Sequence, residues 1–146
     1  MVYIRVEAEV RPTEDLDKVL RALKNILYIK NVKVEDVGRE RRIVICEESS
    51  LDILKKLHDI LRRQRILDTA RSVMLRNLRS TTTEFKLNKQ AAFQGIINFV
   101  ENDNESPLGA VTVMITSSNI NAIIDWLAPK TSHGRPLWET EPPKDA

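Results

Sequence analysis

The change of hydrophobic period within the first 27 residues limits the fold of this chain more than any other feature. Apolar residues alternate with charged ones over residues 2–10, so one face is apolar and the other is wet, which predicts a strand of a half-exposed sheet. After Pro12 the apolar residues recur at spacings of three and four, which predicts an amphipathic helix over residues 16–27. Either Thr13 or Asp15 can cap its first turn. A strand followed directly by a helix predicts a mixed fold.

The same two periods recur as far as Ser80. Residues 31–48 predict a β-hairpin that turns at Gly38. Either Ser49 or Ser50 can cap a helix that begins near residue 51. The apolar spacing then continues through residues 62–80 without glycine or proline. This predicts one long helix, or two abutting helices with a kink near residues 62–65.

Short strands dominate the pattern after Ser80. We expect strands over residues 81–87, 95–100 and 110–116, and a helical turn over residues 88–93 that Asn88 caps. The sequence Ser106-Pro107-Leu108-Gly109 fits a type I turn. Asn119 should cap a last helix over residues 120–127, and Pro129 should end it.

The predicted order β-α-β-β-α(α)-β-β-β-α indicates an α+β fold. We expect two layers, an antiparallel or mixed β-sheet with helices packed on one face. Residues 1–129 should form a single domain, and the proline-rich, charged residues 130–146 a flexible C-terminal tail.

Composition excludes several classes of protein. The chain has 146 residues, 42% of them hydrophobic, one cysteine and a net charge of +2. We therefore expect no disulfide framework, and any basic surface must be local. The sequence contains no run of 18 apolar residues, so no membrane-spanning helix is predicted. Charged residues interrupt the apolar N-terminus, which argues against a signal peptide and favours the cytoplasm.

Enzyme signatures are absent from the sequence. The four glycines are isolated, so no phosphate-binding loop is present. His58 and His133 stand at no metal-ligand spacing, and Cys46 lies in an apolar strand where a small buried side chain is expected. We predict no catalytic residue, no metal and no cofactor.

Residues 62–80 form the one sharp candidate for function. They contain six arginines and a single acid, Asp68. On a helix, Arg65, Thr69, Ser72, Arg76 and Arg79 would form one polar stripe, which Arg62 extends. Guanidinium groups and hydroxyls on a common line suit phosphate oxygens. The hairpin loop at residues 38–42 and Lys86 with Lys89 could add contacts.

Ordinary structural roles compete with this interpretation. Asp68 can pair with Arg65 or Arg71, three residues away on either side. Aromatic residues make up only 5% of the chain, so few platforms exist for stacking of unpaired bases. Asn88, Lys89 and Gln90 can donate to phosphate, or can simply cap a turn. The candidate nucleic-acid-binding residues are Arg62, Arg63, Arg65, Arg71, Arg76, Arg79, Asn88, Lys89 and Gln90.

Several motifs resemble an uncharacterised family of small archaeal proteins. They are VEAEVRPTED, RRQRILDTARSVMLRN, LNKQAAF, ESPLG and IDWLAP, and they span nearly all of residues 2–129. The resemblance implies an α+β fold similar to a large-subunit ribosomal protein, and predicted RNA binding by analogy of fold. It brings no catalytic residues. The acidic stretch ENDNES would repel a phosphate backbone on the same face.

Three functions remain open from the sequence, and the one with the least support is a small-molecule or metal-dependent enzyme. The first is a non-enzymatic RNA-binding or ribosome-associated module that uses the arginine-rich helix. The alternative is a homodimeric structural or interaction protein without nucleic acid, because exposed strand edges favour pairing between copies.

Overall fold

A computed structural model describes residues 1–102 and 108–144. Six strands form one sheet in the order β2-β3-β1-β6-β4-β5, and every neighbouring pair is antiparallel. The strands are β1 (Val2–Val10), β2 (Lys33–Gly38), β3 (Arg41–Glu48), β4 (Thr82–Asn88), β5 (Phe99–Val100) and β6 (Ala110–Ser117). The predicted α+β class is confirmed, and of the two predicted sheet types the structure has the antiparallel one.

The core lies between one face of this sheet and the helices. In the central strand β1, Val2, Ile4, Val6, Ala8 and Val10 are all buried, as their alternation predicts. Val6 stands opposite Cys46 of β3 and Val113 of β6, which are also buried. The opposite face of the sheet carries Arg5, Glu7 and other polar residues. Period-two burial along three strands thus directs all helices to one side.

Five helices in the described part of the chain cover the apolar face of the sheet. They are α1 (Leu16–Ile26), α2 (Lys55–Arg63), α3 (Leu67–Arg76), α4 (Lys89–Phe93) and α5 (Ile120–Leu127), and a 3-10 turn at Leu51–Leu54 leads into α2. Of the two predicted cap residues for α1, Asp15 is the one used, and its side chain accepts a hydrogen bond from the backbone amide of Asp17. Of the two predicted before residue 51, Ser50 is the one used, and its hydroxyl accepts from the amide of Asp52. Asn119 occupies the N-cap position of α5, but its side chain makes no capping hydrogen bond.

The arginine-rich segment forms two helices rather than one. Helix α2 ends at Arg63, and Arg65 adopts a left-handed conformation with φ of 59°. The amide of Ile66 then donates to the carbonyl of Leu61, which closes the helix end in the manner of a Schellman motif. The predicted kink is therefore a complete helix stop.

The strand predicted over residues 95–100 is much shorter than expected. Only Phe99 and Val100 pair with β4. Gly95 has φ of 70°, and the backbone of Ile97 is held by the side chain of Gln64 through two hydrogen bonds of 2.7 and 2.9 Å. The side chain of Gln64, the residue that caps the C-terminal end of α2, thus replaces the strand partner there. Residues 106 and 107 of the type I turn predicted at residues 106–109 lie outside the described residues.

The segment after Pro129 carries some structure of its own. Strands β7 (Thr131–Ser132) and β8 (Arg135–Pro136) form a two-residue ladder, and Glu139 contacts α2. The division into a domain at 1–129 and a flexible tail stays a prediction. Along residues 1–102 and 108–144, no helix has both the length and the apolar character needed to cross a membrane.

Candidate nucleic-acid interface

Arg62 and Arg71 point inward and hold the C-terminal end of α5. The Arg62 guanidinium donates to the carbonyls of Trp126 and Leu127, both at 3.1 Å, and pairs with Glu139 at 2.7 Å. Arg71 donates to Asp125 at 2.8 Å and to the carbonyl of Ala128 at 3.1 Å. The last carbonyls of a helix have no partner within it and carry partial negative charge, so two cations stabilise this end.

These contacts have consequences for both residues and for their neighbours. The Arg62 and Arg71 side chains are only 18% and 17% exposed, which leaves little of either guanidinium for a ligand. The arginine beside Glu139 holds the pKa of that carboxyl below its ordinary value. Asp68 pairs with neither Arg65 nor Arg71 and accepts from the Thr131 hydroxyl instead.

Arg63 and Arg65 point outward at the junction of α2 and α3. Both are exposed, and neither side chain has a hydrogen bond or an ion pair within residues 1–102 and 108–144. Because Arg65 precedes α3 in a left-handed conformation, it does not continue the helical stripe that the spacing predicts.

Arg76 and Arg79 lie at the other end of α3 and are also exposed. Arg76 lies 3.7 Å from Glu101, and its side chain is 57% exposed. Arg79 follows the helix and donates to the carbonyls of Arg76 and Leu78. Only Thr69, Ser72 and Arg76 of the predicted stripe therefore lie on α3 itself.

Within the Asn88-Lys89-Gln90 triplet, two side chains have structural roles and one is exposed. Asn88 caps α4 by accepting from the amide of Ala91 at 3.1 Å. Lys89 is fully buried, and its ammonium donates to the carbonyl of Glu9 and to both carboxylate oxygens of Glu14, at 2.9 and 3.1 Å. Gln90 alone is exposed.

Lys89 is a buried structural cation in this fold. Burial lowers its pKa below the ordinary lysine value, and the paired Glu14 opposes that shift. Because the Lys89 side chain is 0% exposed and that of Glu14 only 6%, neither charge reaches the surface. Lys89 and Asn88 therefore have structural roles and lie outside the candidate interface.

An open groove runs between α3 and β5, with a volume of about 470 Å³. We call it the α3 groove, and its lining residues are Asp68, Thr69, Ser72, Val73, Arg76, Phe99, Val100 and Glu101. Val73 and Val100 are 8% and 7% exposed and form an apolar wall. The Phe99 ring packs edge-on against Phe85, with centroids 5.8 Å apart. The groove combines an aromatic ring, hydroxyls, a guanidinium and two carboxylates.

A second depression continues from the α3 groove around the sheet edge. It shares Val100 and Glu101 with the groove and adds Asn77, Arg79, Glu84, Phe85 and Lys86. Arg76 and Arg79 thus line one continuous surface along α3 and the edge of β4 and β5, and Arg63 and Arg65 are exposed before the start of α3. In the hairpin loop, Arg41 lies 3.5 Å from Glu9, so that loop is partly neutralised.

Sequence reasoning missed Phe99 and Glu101 as parts of this surface. The apolar run around Phe99 predicts a core residue, and the polar stretch that contains Glu101 predicts a loop. Their shared neighbourhood with α3 depends on the short β5 strand, which carries almost no periodic signal. The prediction that Cys46 is a small buried side chain is confirmed, and its burial raises the pKa of its thiol.

No metal centre is evident in the part of the chain that the structure describes. Within it, no three histidine, cysteine or acidic residues gather in a way that could hold an ion. His58 stacks on Trp126 with ring centroids 5.0 Å apart, which is a packing role.

Comparison with known proteins identifies the relatives of this chain. A family model described as RNA binding matches residues 3–117. The UPF0201 protein of Metallosphaera sedula is 44% identical over 145 residues, which cover 99% of this chain and 100% of that protein. The UPF0201 protein of Sulfurisphaera tokodaii is 46% identical over 145 residues, which cover 99% of each.

Solved structures agree with this relationship. The crystal structure of the UPF0201 protein from Methanococcus jannaschii has a TM-score of 0.82 at 33% identity, over 92% of this chain and 98% of that one. The DUF54 protein Mth689 from Methanothermobacter thermautotrophicus has a TM-score of 0.58 at 19% identity, over 78% and 82%, and shows a similar fold only. The predicted resemblance to an archaeal family is thereby confirmed, and the chain belongs to the UPF0201 proteins, within the family whose model is described as RNA binding.

Proposed function

We propose that this protein is a non-enzymatic RNA-binding module whose contact surface is the α3 groove and the exposed arginines that flank it. The observation that carries the proposal is the separation of the arginines. Arg62 and Arg71 form hydrogen bonds to the end of α5. The other four arginines of residues 62–80 are exposed, and they are Arg63, Arg65, Arg76 and Arg79.

The chemistry of this surface supports phosphate contact. Arginine forms bidentate hydrogen bonds to phosphate oxygens, and the hydroxyls of Thr69 and Ser72 can donate to them. The description of the matching family model as RNA binding agrees with this chemistry. A cytoplasmic location, an association with ribosomes and a fold similar to a ribosomal protein are further parts of the proposal.

The test is titration of a fluorescein-labelled structured RNA at several salt concentrations. Binding should weaken steeply as salt rises, because phosphate contacts release counterions. Arg65→Asn removes a charge while asparagine tolerates the left-handed backbone, and Arg76→Gln removes another. Each should lower affinity several-fold and reduce the slope of log K against log salt by about one.

Arg21→Gln is the matched control, because Arg21 is exposed on α1, away from the α3 groove. It removes the same charge and should leave affinity within about twofold. Loss of affinity equal to that of Arg76→Gln would show that only net charge matters. Absence of any binding at low salt would refute the proposed function.

A specific observation favours homodimerisation as a second candidate function. All six residues of the edge strand β2 are exposed, including Val34 at 42% and Val37 at 50%. An edge strand offers unpaired backbone groups to a second copy. Light scattering after size exclusion should then give twice the mass of 16.8 kDa, and Val34→Lys should give the single mass. A monomer at high micromolar concentration would rule the dimer out.

A further inference from the structure

The two edges of the six-stranded sheet differ in what covers their backbone. Along the outer edge of β4, Arg79 and Thr82 exchange backbone hydrogen bonds of 2.8 and 3.0 Å. The Asn77 side chain donates to the Glu84 carbonyl at 2.8 Å, and β5 pairs with the next part of that edge. Strand β2 has β3 as its single neighbour in the described part of the chain, and all six of its residues are exposed. An uncovered edge offers its backbone groups to another strand.

Strand β2 carries two unlike charges on one face of the sheet. Lys33 and Glu35 pair with Ile45 and Ile43 of β3, so both side chains project from the face opposite to the helices. Both are exposed, and neither has a hydrogen bond or an ion pair within residues 1–102 and 108–144. Val34 lies between them, projects from the other face and is 42% exposed. The edge therefore presents a cation, an anion and an apolar side chain without partners of their own.

Two-fold symmetry restricts how β2 can pair with a second copy of itself. Opposed residues of an antiparallel pair project from the same face, so the axis must pass beside one residue, which then faces its own copy. An axis at Lys33, Glu35 or Asp36 sets like charges directly opposite each other, which destabilises the pair. The register shift between Asp36 and Gly38 interrupts the ladder beyond that point. An axis at Val34 instead sets Lys33 of each copy opposite Glu35 of the other.

We propose that two copies of this chain pair antiparallel through β2, with Val34 on the two-fold axis and two Lys33–Glu35 ion pairs between the copies. This inference rests on the second candidate function, homodimerisation, and names its interface and register. The axis is perpendicular to the sheet, so the two sheets join into one of twelve strands with all helices on one side. Because β2 and β5 lie at opposite edges, the α3 groove of each copy stays uncovered and open to RNA.

Two charge reversals on β2 test this register. Lys33→Glu makes both pairs between the copies acidic, and Glu35→Lys makes both basic. Each variant alone should raise the dissociation constant of the dimer about tenfold or more, because two attractive pairs become repulsive. An equimolar mixture of the two variants should recover the wild-type dissociation constant, because a chain with two acids then faces a chain with two lysines. Sedimentation equilibrium measures all four samples.

Lys18→Glu is the matched control. Lys18 is an exposed cation on α1, outside the β2 edge, and the variant makes the same change in net charge. Its dissociation constant should stay within about twofold of the wild type, since an isolated exposed charge contributes little. An increase equal to that of Lys33→Glu would show that net charge controls association and would overturn the β2 interface. Circular dichroism checks that each variant is folded.

The remaining outcomes separate this inference from the functions proposed above. A wild-type monomer at high micromolar concentration would overturn both the interface and homodimerisation, and would leave RNA binding intact. Dimers that persist in both charge-reversal variants would overturn pairing through β2 but keep homodimerisation through another surface. Two monomeric variants whose mixture also stays monomeric would overturn the register with Val34 on the axis.

Discussion

Arg62 and Arg63 are neighbours in the sequence but lie in opposite environments. Arg62 is 18% exposed and donates to two carbonyls of α5 and to Glu139, whereas the Arg63 side chain is exposed and has no hydrogen bond or ion pair within residues 1–102 and 108–144. Successive residues on a helix point about 100° apart, so one faces α5 and the other solvent. A cluster of like charges in a sequence is thus no measure of a charged surface.

The same contrast holds over the wider set of cations. Arg62, Arg71 and Lys89 complete the fold, and Arg63, Arg65, Arg76 and Arg79 remain outside it. If this division is correct, substitutions in the first set should act on stability, and those in the second on RNA affinity.

The largest expected effect is that of Lys89→Met. It leaves the Glu14 carboxylate buried without its cation, so the free energy of unfolding should fall by about 3–5 kcal/mol, as measured by urea denaturation. The double variant Glu14→Leu/Lys89→Met should recover part of that loss, because no unpaired charge stays buried. If Lys89→Met were as stable as the wild type, Lys89 would not contribute to the stability of the fold.

Arg62→Ala should have the next largest effect. The carbonyls of Trp126 and Leu127 lose a charged donor, which should cost about 2–3 kcal/mol in the free energy of unfolding. The adjacent Arg63→Ala is the matched control and should change stability by no more than about 0.5 kcal/mol. Equal losses of unfolding free energy for the two variants would show that the inward and outward arginines do not differ in their contribution to stability.

Arg71 and Asp125 should show a smaller coupling. Asp125 is 43% exposed, so solvent screens the pair, and a double-mutant cycle of Arg71→Ala with Asp125→Asn should give about 1 kcal/mol. Coupling near zero would indicate that Arg71 acts mainly through the Ala128 carbonyl. This cycle therefore separates the ion pair from the helix-end contact.

The smallest expected effect is a pH dependence at Glu139. Arg62 holds the pKa of Glu139 below its ordinary value, so the pair stabilises the fold above that ordinary value and loses this contribution as pH falls through the lowered pKa. The difference in melting temperature between the wild type and Glu139→Gln should therefore be present at pH 7 and vanish in acid. A difference that is constant from pH 7 to pH 3 would assign the effect to packing.

Much of the fold could be predicted from the sequence because its elements are locally encoded. The alternation over Val2–Val10 and the three-four spacing over Leu16–Ile26 each define one buried face without reference to the rest of the chain. Strand β5 could not be predicted in the same way. Gln64 binds the backbone of Ile97 from 33 residues away, and no local pattern reports such a contact.

The candidate site was only partly predictable for a related reason. The spacing of Thr69, Ser72 and Arg76 places them on one helix face, which the structure shows as the lining of the α3 groove. It could not show that Phe99 and Glu101 form the opposite wall, since these residues come into place through the pairing of β5 with β4.

The sequence by itself determined which residues of β1 and α1 share an apolar face, and that positive charge is concentrated in residues 62–80. Only the tertiary structure decided which of those charges remain available. Arg62 and Arg71 are engaged because the end of α5 packs against α2 and α3 and presents carbonyls that require donors. The physical reason is that a guanidinium bonds to whatever acceptor the fold brings near it, and that acceptor lies 54 to 77 residues further along the chain.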